Sequence, residues 1–177
     1  MDAIIIYDFF DNFVNIKDEF KKIPLLTLDE MNKKHWAKDR RPENWPGKRS
    51  ESFAKTNPFL FNLIHKELVS KTGDLFKDKT VEMQTCVHLR LDDDNDGDFI
   101  HEDLCDYTLM VYLSDTNLKS GTALYPAKGE VSDVMANFVQ NRAFIFKGGI
   151  RHAAIHNHGD SIENGRLTLN CFIHIIK

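Results

Sequence analysis

Phe99-Ile100-His101-Glu102-Asp103-Leu104-Cys105-Asp106-Tyr107-Thr108-Leu109-Met110-Val111-Tyr112-Leu113 sets a histidine and a carboxylate two positions apart, just ahead of a run rich in β-forming residues. Extended chain alternates faces at every residue, so His101 and Asp103 project to the same side. Further along stand His152 and then Arg166. Two neutral imidazole nitrogens and one carboxylate oxygen on one face of a divalent metal leave its opposite face open for other ligands. An arginine nearby offers a fixed fork for the carboxylate of an acidic ligand.

Outward from this stretch the texture is β. Val, Ile, Thr, Phe and Tyr cluster in short runs separated by Gly, Asn and Asp. The runs predict strands over Met83–Leu91, Phe99–Asp103, Tyr107–Leu113, Thr122–Tyr125, Glu130–Val134, Ala143–Phe146, Ala153–His156 and Leu167–Ile175. No crossover-helix pattern lies between them, which argues for an antiparallel sandwich or jelly roll. Residues 1–80 read differently. Ile4-Ile5-Ile6-Tyr7 suits a short strand, and Asp11 or Asn12 suits the cap of a helix through Phe13, Ile16, Phe20 and Ile23, ended by Pro24. A second helix follows Asn57-Pro58, with Phe61, Ile64, His65 and Leu68 on one face, and stops at Gly73. The stretch Lys33 to Arg49 reads as an irregular basic loop carrying Trp36, Trp45, Pro42, Pro46 and Gly47. The expectation is one domain, 1–177, in which residues 1–80 form a helix-rich support and substrate mouth and residues 81–177 the β core.

Composition narrows the function classes. At 177 residues and 42% hydrophobic content the chain can bury a sizeable core, and thirteen Phe favour a wide aromatic interior. A net charge of −4 speaks against nucleic acid as the default partner. Cys86, Cys105 and Cys171 lack metal-ligand spacing and read as reduced thiols, which suits the cytoplasm. No apolar stretch is long enough to span a membrane, and the start lacks the basic region and cleavage site of a signal peptide.

The order His101-x-Asp103, Tyr112-Leu113, Gly121-Thr122, His152, Arg166-x-Thr168 resembles the Fe(II)/2-oxoglutarate-dependent dioxygenases, in particular the prolyl-4-hydroxylase-like branch. The resemblance covers Val81 to Ile175 and implies a double-stranded β-helix, a distorted jelly roll of cupin-like form. It implies that His101, Asp103 and His152 hold Fe(II), and that Arg166 and Tyr112 bind the distal carboxylate of 2-oxoglutarate. Thr168 matches the hydroxyl two residues after the arginine. It further implies C–H hydroxylation with O2 as co-substrate and release of succinate and CO2. Related halogenases carry a small residue in place of the carboxylate, so Asp103 points to hydroxylation. The implied substrate is a prolyl or other protein side chain, or a free amino acid or similar small molecule, with nucleic acid third. The chain is also similar in size to short oxygenases encoded by phages, which would place it in a host cytoplasm.

Three features compete with this reading. His156 and His158 share the parity of His152, so alternation alone leaves the second histidine open; the approach Phe146-Lys147-Gly148-Gly149 favours His152 on the family pattern, while His156 also leaves a plausible interval to Arg166. Asp92-x-Asp94-x-Asp96-Gly97 nearly matches the start of an EF-hand loop with Asp103 at its twelfth position, so a calcium-binding β-sandwich module using the Asp92–Asp98 turn is the alternative function. The flanking sequence is strand-like where an EF-hand needs helices, and such a loop would leave His101 without a role. Finally, Trp36, Arg40, Arg41, Trp45, Lys48 and Arg49 form a basic aromatic stretch in which Trp45 and Arg49 are candidates for substrate contact.

Overall fold

The computed structural model describes residues 3–35, 45–94, 99–129 and 131–176. The chain runs through β1 (Ala3–Ile6), α1 (Phe13–Lys21), α2 (Leu28–His35), β2 (Lys48–Arg49), α3 (Phe53–Thr56), α4 (Pro58–Lys71), a 3-10 turn (Gly73–Leu75), β3 (Val81–Arg90), β4 (Tyr107–Tyr112), β5 (Asn117–Leu124), β6 (Val134–Phe138), β7 (Ala143–Lys147), β8 (His152–Ile155) and β9 (Arg166–Ile175). A six-stranded antiparallel sheet has the order β1-β7-β4-β9-β3-β2, and a three-stranded one the order β6-β5-β8. His101 adds a single antiparallel bridge to His152 at the outer edge of β8. From β3 onward the chain therefore winds between sheets: β3 large, His101 small, β4 large, β5 and β6 small, β7 large, β8 small, β9 large. That winding is a double-stranded β-helix whose second strand, among the described residues, is one bridge.

Period two assigns the faces of the large sheet. Met83, Val87 and Leu89 of β3, Leu109 and Val111 of β4, and Leu167, Leu169, Cys171 and Ile173 of β9 point to the helices, where they meet Phe9, Phe10, Phe13, Phe20, Phe53 and Phe76. Phe20 stacks on Phe53 at 6.4 Å, and Phe9 meets Phe10 edge-on at 4.9 Å. Each such ring taken from water contributes on the order of 1.5–3 kcal/mol. The opposite face of the sheet carries Gln84, His88, Arg90, Thr108, Met110, Arg166 and Asn170, and looks into a cavity.

Local chemistry explains the helix starts. Asn57 Oδ1 accepts a hydrogen bond from the Leu60 N–H at 3.1 Å with Pro58 in the first turn of α4, as its sequence predicts. α2 falls where no helix was expected, partly inside the stretch read as a loop. Its start is a reciprocal capping box: the Thr27 N–H donates to Glu30 Oε2 at 2.8 Å, and the Glu30 N–H to Thr27 Oγ1 at 3.3 Å.

Several boundaries differ from expectation. The strand predicted over Phe99–Asp103 is only the bridge at His101. β5 begins at Asn117 rather than Thr122 and carries an irregularity before Gly121. β6 lies at Val134–Phe138, later than the weak segment expected. Among the described residues no helix is long and apolar enough to cross a membrane.

Candidate metal centre

The backbone brings the three predicted ligands together. His101 and His152 exchange both hydrogen bonds, the His101 N–H donating to His152 O at 3.0 Å and the His152 N–H to His101 O at 2.8 Å. Their rings consequently lie side by side with centroids 4.3 Å apart. Two residues on, the Asp103 N–H donates to Gly148 O at 2.8 Å, and the Gly148 N–H donates to Asp106 O at 3.1 Å. The 101–106 segment is thus clipped to the turn that leads into β8. Only glycine fits at position 148, because a Cβ there would sit 2.1 Å from the Cys105 carbonyl oxygen.

Carbonyls and a hydroxyl behind the three side chains hold each of them in place. His101 Nδ1 lies 3.0 Å from Phe99 O and His152 Nδ1 lies 2.9 Å from Ile150 O. A carbonyl only accepts, so each Nδ1 carries a hydrogen, and Nε2 is the atom left to present a lone pair once any proton on it is displaced by a metal. Thr108 Oγ1 donates to Asp103 Oδ2 at 2.6 Å. Burial, and then the neighbouring His152, hold His101 below its usual pKa, which favours the neutral ligand form. Burial opposes ionisation of Asp103, but the hydrogen bond and charge of His152 and the bond from Thr108 outweigh it, and its carboxyl lies below its ordinary pKa.

The donor set fits a metal ion. His152 Nε2 lies 3.3 Å from Asp103 Oδ2, His101 Nε2 lies 3.8 Å from Asp103 Oδ1, and one ligand atom from each residue lies within 4.8 Å of the others. Three ligands at right angles on bonds of about 2.1 Å would stand about 3.0 Å apart, so small side-chain adjustments bring all three onto one ion.

The remaining predicted residues divide into two sets. Arg166 lines the same cavity, of about 470 Å³, as His101, Asp103 and His152. It is 1% exposed. Its Nη2 donates to Gly121 O at 3.1 Å and lies 3.4 Å from Thr122 Oγ1, and its guanidinium sits 5.7 Å from the centre of the Phe138 ring. Tyr112 and Thr168 lie behind this wall. The Tyr112 hydroxyl donates to Ala136 O at 3.0 Å and lies 3.1 Å from Thr122 Oγ1, so Thr122 stands between it and the cavity. Thr168 Oγ1 is turned to His88 O at 3.4 Å.

The competing histidines are placed elsewhere. His156 is exposed with φ 49°, which ends the alternation of β8. His158 meets Phe138 edge-on at 5.4 Å. The acidic run follows strand β3, where an EF-hand would have a helix, and Asp94 Oδ2 accepts from the Leu91 N–H at 2.7 Å. Asp96, Gly97 and Asp98 lie outside the described residues, as do Trp36, Arg40 and Arg41 of the basic stretch.

Sequence reasoning missed Arg90, Thr108 and Asn170, all on the cavity wall. Arg90 stands directly opposite Arg166 in the β3–β9 register. Period two along β3 places His88 and Arg90 on one face; the register with a strand so distant in sequence was the missing information. Trp45 and Arg49, singled out in the basic stretch, also line this cavity. His88 Nε2 donates to Pro46 O at 2.7 Å. Burial, then Arg49 and the other nearby guanidiniums, push its pKa well below the usual histidine value, so it is neutral.

No family model matches the chain, and no curated protein matches it in sequence. Solved structures match it in shape. An oxidoreductase of the 2OG-Fe(II) oxygenase family from Burkholderia pseudomallei superposes with a TM-score of 0.67 at 12% identity, over 98% of this chain and 84% of that one. The epimerase SnoN of nogalamycin biosynthesis, in complex with Fe3+, alpha ketoglutarate and nogalamycin RO, gives 0.65 at 12% identity over 98% and 79%. A prolyl hydroxylase from Trichoplax adhaerens, in complex with a hypoxia inducible factor peptide fragment, gives 0.57 at 12% identity over 98% and 83%. At these identities the likeness is one of fold, and the fold is the double-stranded β-helix.

Proposed function

We propose that the protein is an Fe(II)- and 2-oxoglutarate-dependent dioxygenase that hydroxylates a C–H bond and releases succinate and CO2. The observation that carries this reading is the convergence of His101, Asp103 and His152 on one side of a cavity that Arg166 also lines. In this reading the two Nε2 lone pairs and the Asp103 carboxylate hold Fe(II), which supplies the oxygen chemistry once 2-oxoglutarate and O2 are present. Three protein ligands leave positions for the keto-acid end of the co-substrate. Arg166 takes its distal carboxylate as a charge-assisted pair, strengthened by burial. Tyr112 supports that carboxylate through Thr122, and Thr168 steadies β9 beneath Arg166. Thr108 keeps Asp103 oriented.

The substrate in this reading is a prolyl or other amino-acid residue of a peptide, or a small amino-acid-like molecule. Solved structures of the same fold include one holding a peptide fragment and one holding a small molecule. A cytoplasmic setting suits three cysteines that form no disulfide.

The test is calorimetric and then catalytic. Wild type should bind one Mn(II), then 2-oxoglutarate only when metal is present, and should form succinate with Fe(II) and O2. His101→Ala should lose all three, and Arg166→Gln should weaken 2-oxoglutarate without removing the metal. Binding of Ca(II) with indifference to 2-oxoglutarate would instead support the calcium module.

A further inference from the structure

Period two puts Arg166, Thr168, Asn170, Phe172 and His174 on one face of β9. Along that face Arg166 and Thr168 are buried, Asn170 is 7% exposed, Phe172 is half-buried and His174 is exposed. The strand thus runs from a closed end to an open one, and Asn170 lies midway, on the wall of the metal-centre cavity. Pairing fixes its neighbours. Asn170 stands between Met110 of β4 and Cys86 of β3, both buried. The next row toward the open end sets Thr108 opposite Phe172, and the Thr108 hydroxyl donates to Asp103. Asn170 is therefore one row, about 7 Å along the strand, from the support of the candidate metal ligands.

The side chain of Asn170 is polar where polarity is costly. Its Oδ1 is buried and has no hydrogen-bond partner among the described residues. Buried acceptors are nearly always paired, because an unpaired one forfeits its hydration without return. Thr85 and Ser120 also carry orphaned hydroxyls, but neither lines the cavity. Asn170 does, and the broad χ2 torsion of asparagine lets a small turn present the oxygen to a group seated there. An acceptor calls for a donor. The 2-oxoglutarate dianion offers keto and carboxylate oxygens, all acceptors, and cannot satisfy it. An ammonium would bring a charge and three donors between the sulfur-bearing side chains of Met110 and Cys86, where one carbonyl oxygen is too little compensation. A neutral amide N–H brings a donor and no charge.

We propose that Asn170 is a substrate-binding residue whose Oδ1 accepts a hydrogen bond from a neutral amide N–H of the molecule being oxidised. The substrate class is then a peptide or carboxamide, rather than a small acid or amine without an amide. This deepens the dioxygenase reading and rests on it for there being a substrate in this cavity.

The test follows binding by nuclear magnetic resonance of isotope-labelled protein, in which the side-chain amide signals of Asn170 are those missing from Asn170→Leu. The probes come in pairs that differ by one N–H: N-methylacetamide against N,N-dimethylacetamide, and N-acetylproline N-methylamide against its N,N-dimethylamide. Each is titrated into metal-free protein and into protein given Zn(II) and 2-oxoglutarate. The N–H member of at least one pair should shift the Asn170 amide signals saturably and bind about tenfold more tightly than its dimethylamide, as for one hydrogen bond to a buried acceptor. Asn170→Leu should lose that preference, read on the backbone amides of β9, and Asn170→Asp, which keeps the acceptor oxygens, should retain it. The affinities of Asn170→Leu for Zn(II) and 2-oxoglutarate should be those of wild type. Metal-free Asn170→Leu should unfold at the same urea concentration as wild type or a higher one, since leucine removes an acceptor that has no protein partner. Equal binding within both pairs, no saturable shift from any probe, a preference that survives in Asn170→Leu or is lost in Asn170→Asp, weakened metal binding in Asn170→Leu, or a lower urea midpoint in that variant would overturn the proposal. A wild type that binds the N-methylamides through Asn170 but never metal and 2-oxoglutarate would refute the dioxygenase reading and leave the amide site standing.

Discussion

Thr108 and the two carbonyls behind the imidazoles decide how the candidate metal ligands present themselves. Removing the Thr108 hydroxyl leaves Asp103 Oδ2 without its 2.6 Å donor. Thr108→Val should weaken Mn(II) by about 10–100-fold, read by electron paramagnetic resonance of free Mn(II), while the far-ultraviolet spectrum stays that of wild type. His88 tests the electrostatics of the same wall. Burial, then Arg49, keep it neutral when folded, far below the ordinary value of 6.5. Above about pH 6.5 both folded and unfolded chains hold it neutral and nothing is lost. Below that, the unfolded chain takes up a proton that the folded one resists, so stability falls with pH, by at most about 1.4 kcal/mol per pH unit for this one group. His88→Gln should remove that one-proton slope from metal-free urea unfolding curves between pH 6.5 and 5. Tyr112 and Thr168 mark the limit of reading at this scale. Each lies on the expected strand, but period two gives the face of a side chain and not its depth, and both hydroxyls are claimed by backbone carbonyls.

At the scale of elements, most of the β core was legible because β3, β4, β7 and β9 alternate or run apolar between clear breakers. α2 was not legible by periodicity, since Met31 is its one buried residue, although Thr27 and Glu30 carry a capping signal at the right spacing. The second strand of the β-helix was overestimated because Phe99-Ile100 looks strand-like, whereas among the described residues the ladder pairing there is the His101–His152 bridge. Arg90 went unread because the pairing of β3 with β9 links residues far apart in sequence, a register that no local pattern encodes. The turn before β8 is the element on which the site depends most. Gly148→Ala would drive a methyl into the Cys105 carbonyl and push the Asp103 segment off Gly148 O. It should lower stability by about 1–3 kcal/mol, as overpacking does, and weaken Mn(II) more than Thr108→Val does, both measurable on one purified variant.

For the whole molecule, the large sheet separates two environments. Its helix side is a phenylalanine-rich core that supplies stability, and its other side is a polar, arginine-bearing cavity that holds the candidate metal centre. A change on the helix side should therefore alter stability and spare the ligands. Phe20→Ala, at a fully buried ring, should cost about 3–5 kcal/mol in urea unfolding while the folded protein keeps its metal stoichiometry. The measurement that bears most directly on the whole account is a calorimetric Mn(II) titration of wild type beside His101→Ala, Asp103→Ala and His152→Ala. The account expects one ion per chain in wild type and a loss of at least about 100-fold in each variant, as for removal of a direct ligand where even outer-shell changes cost 10–100-fold, with folding intact. Full-strength binding in any of the three, or no binding in wild type, would contradict it.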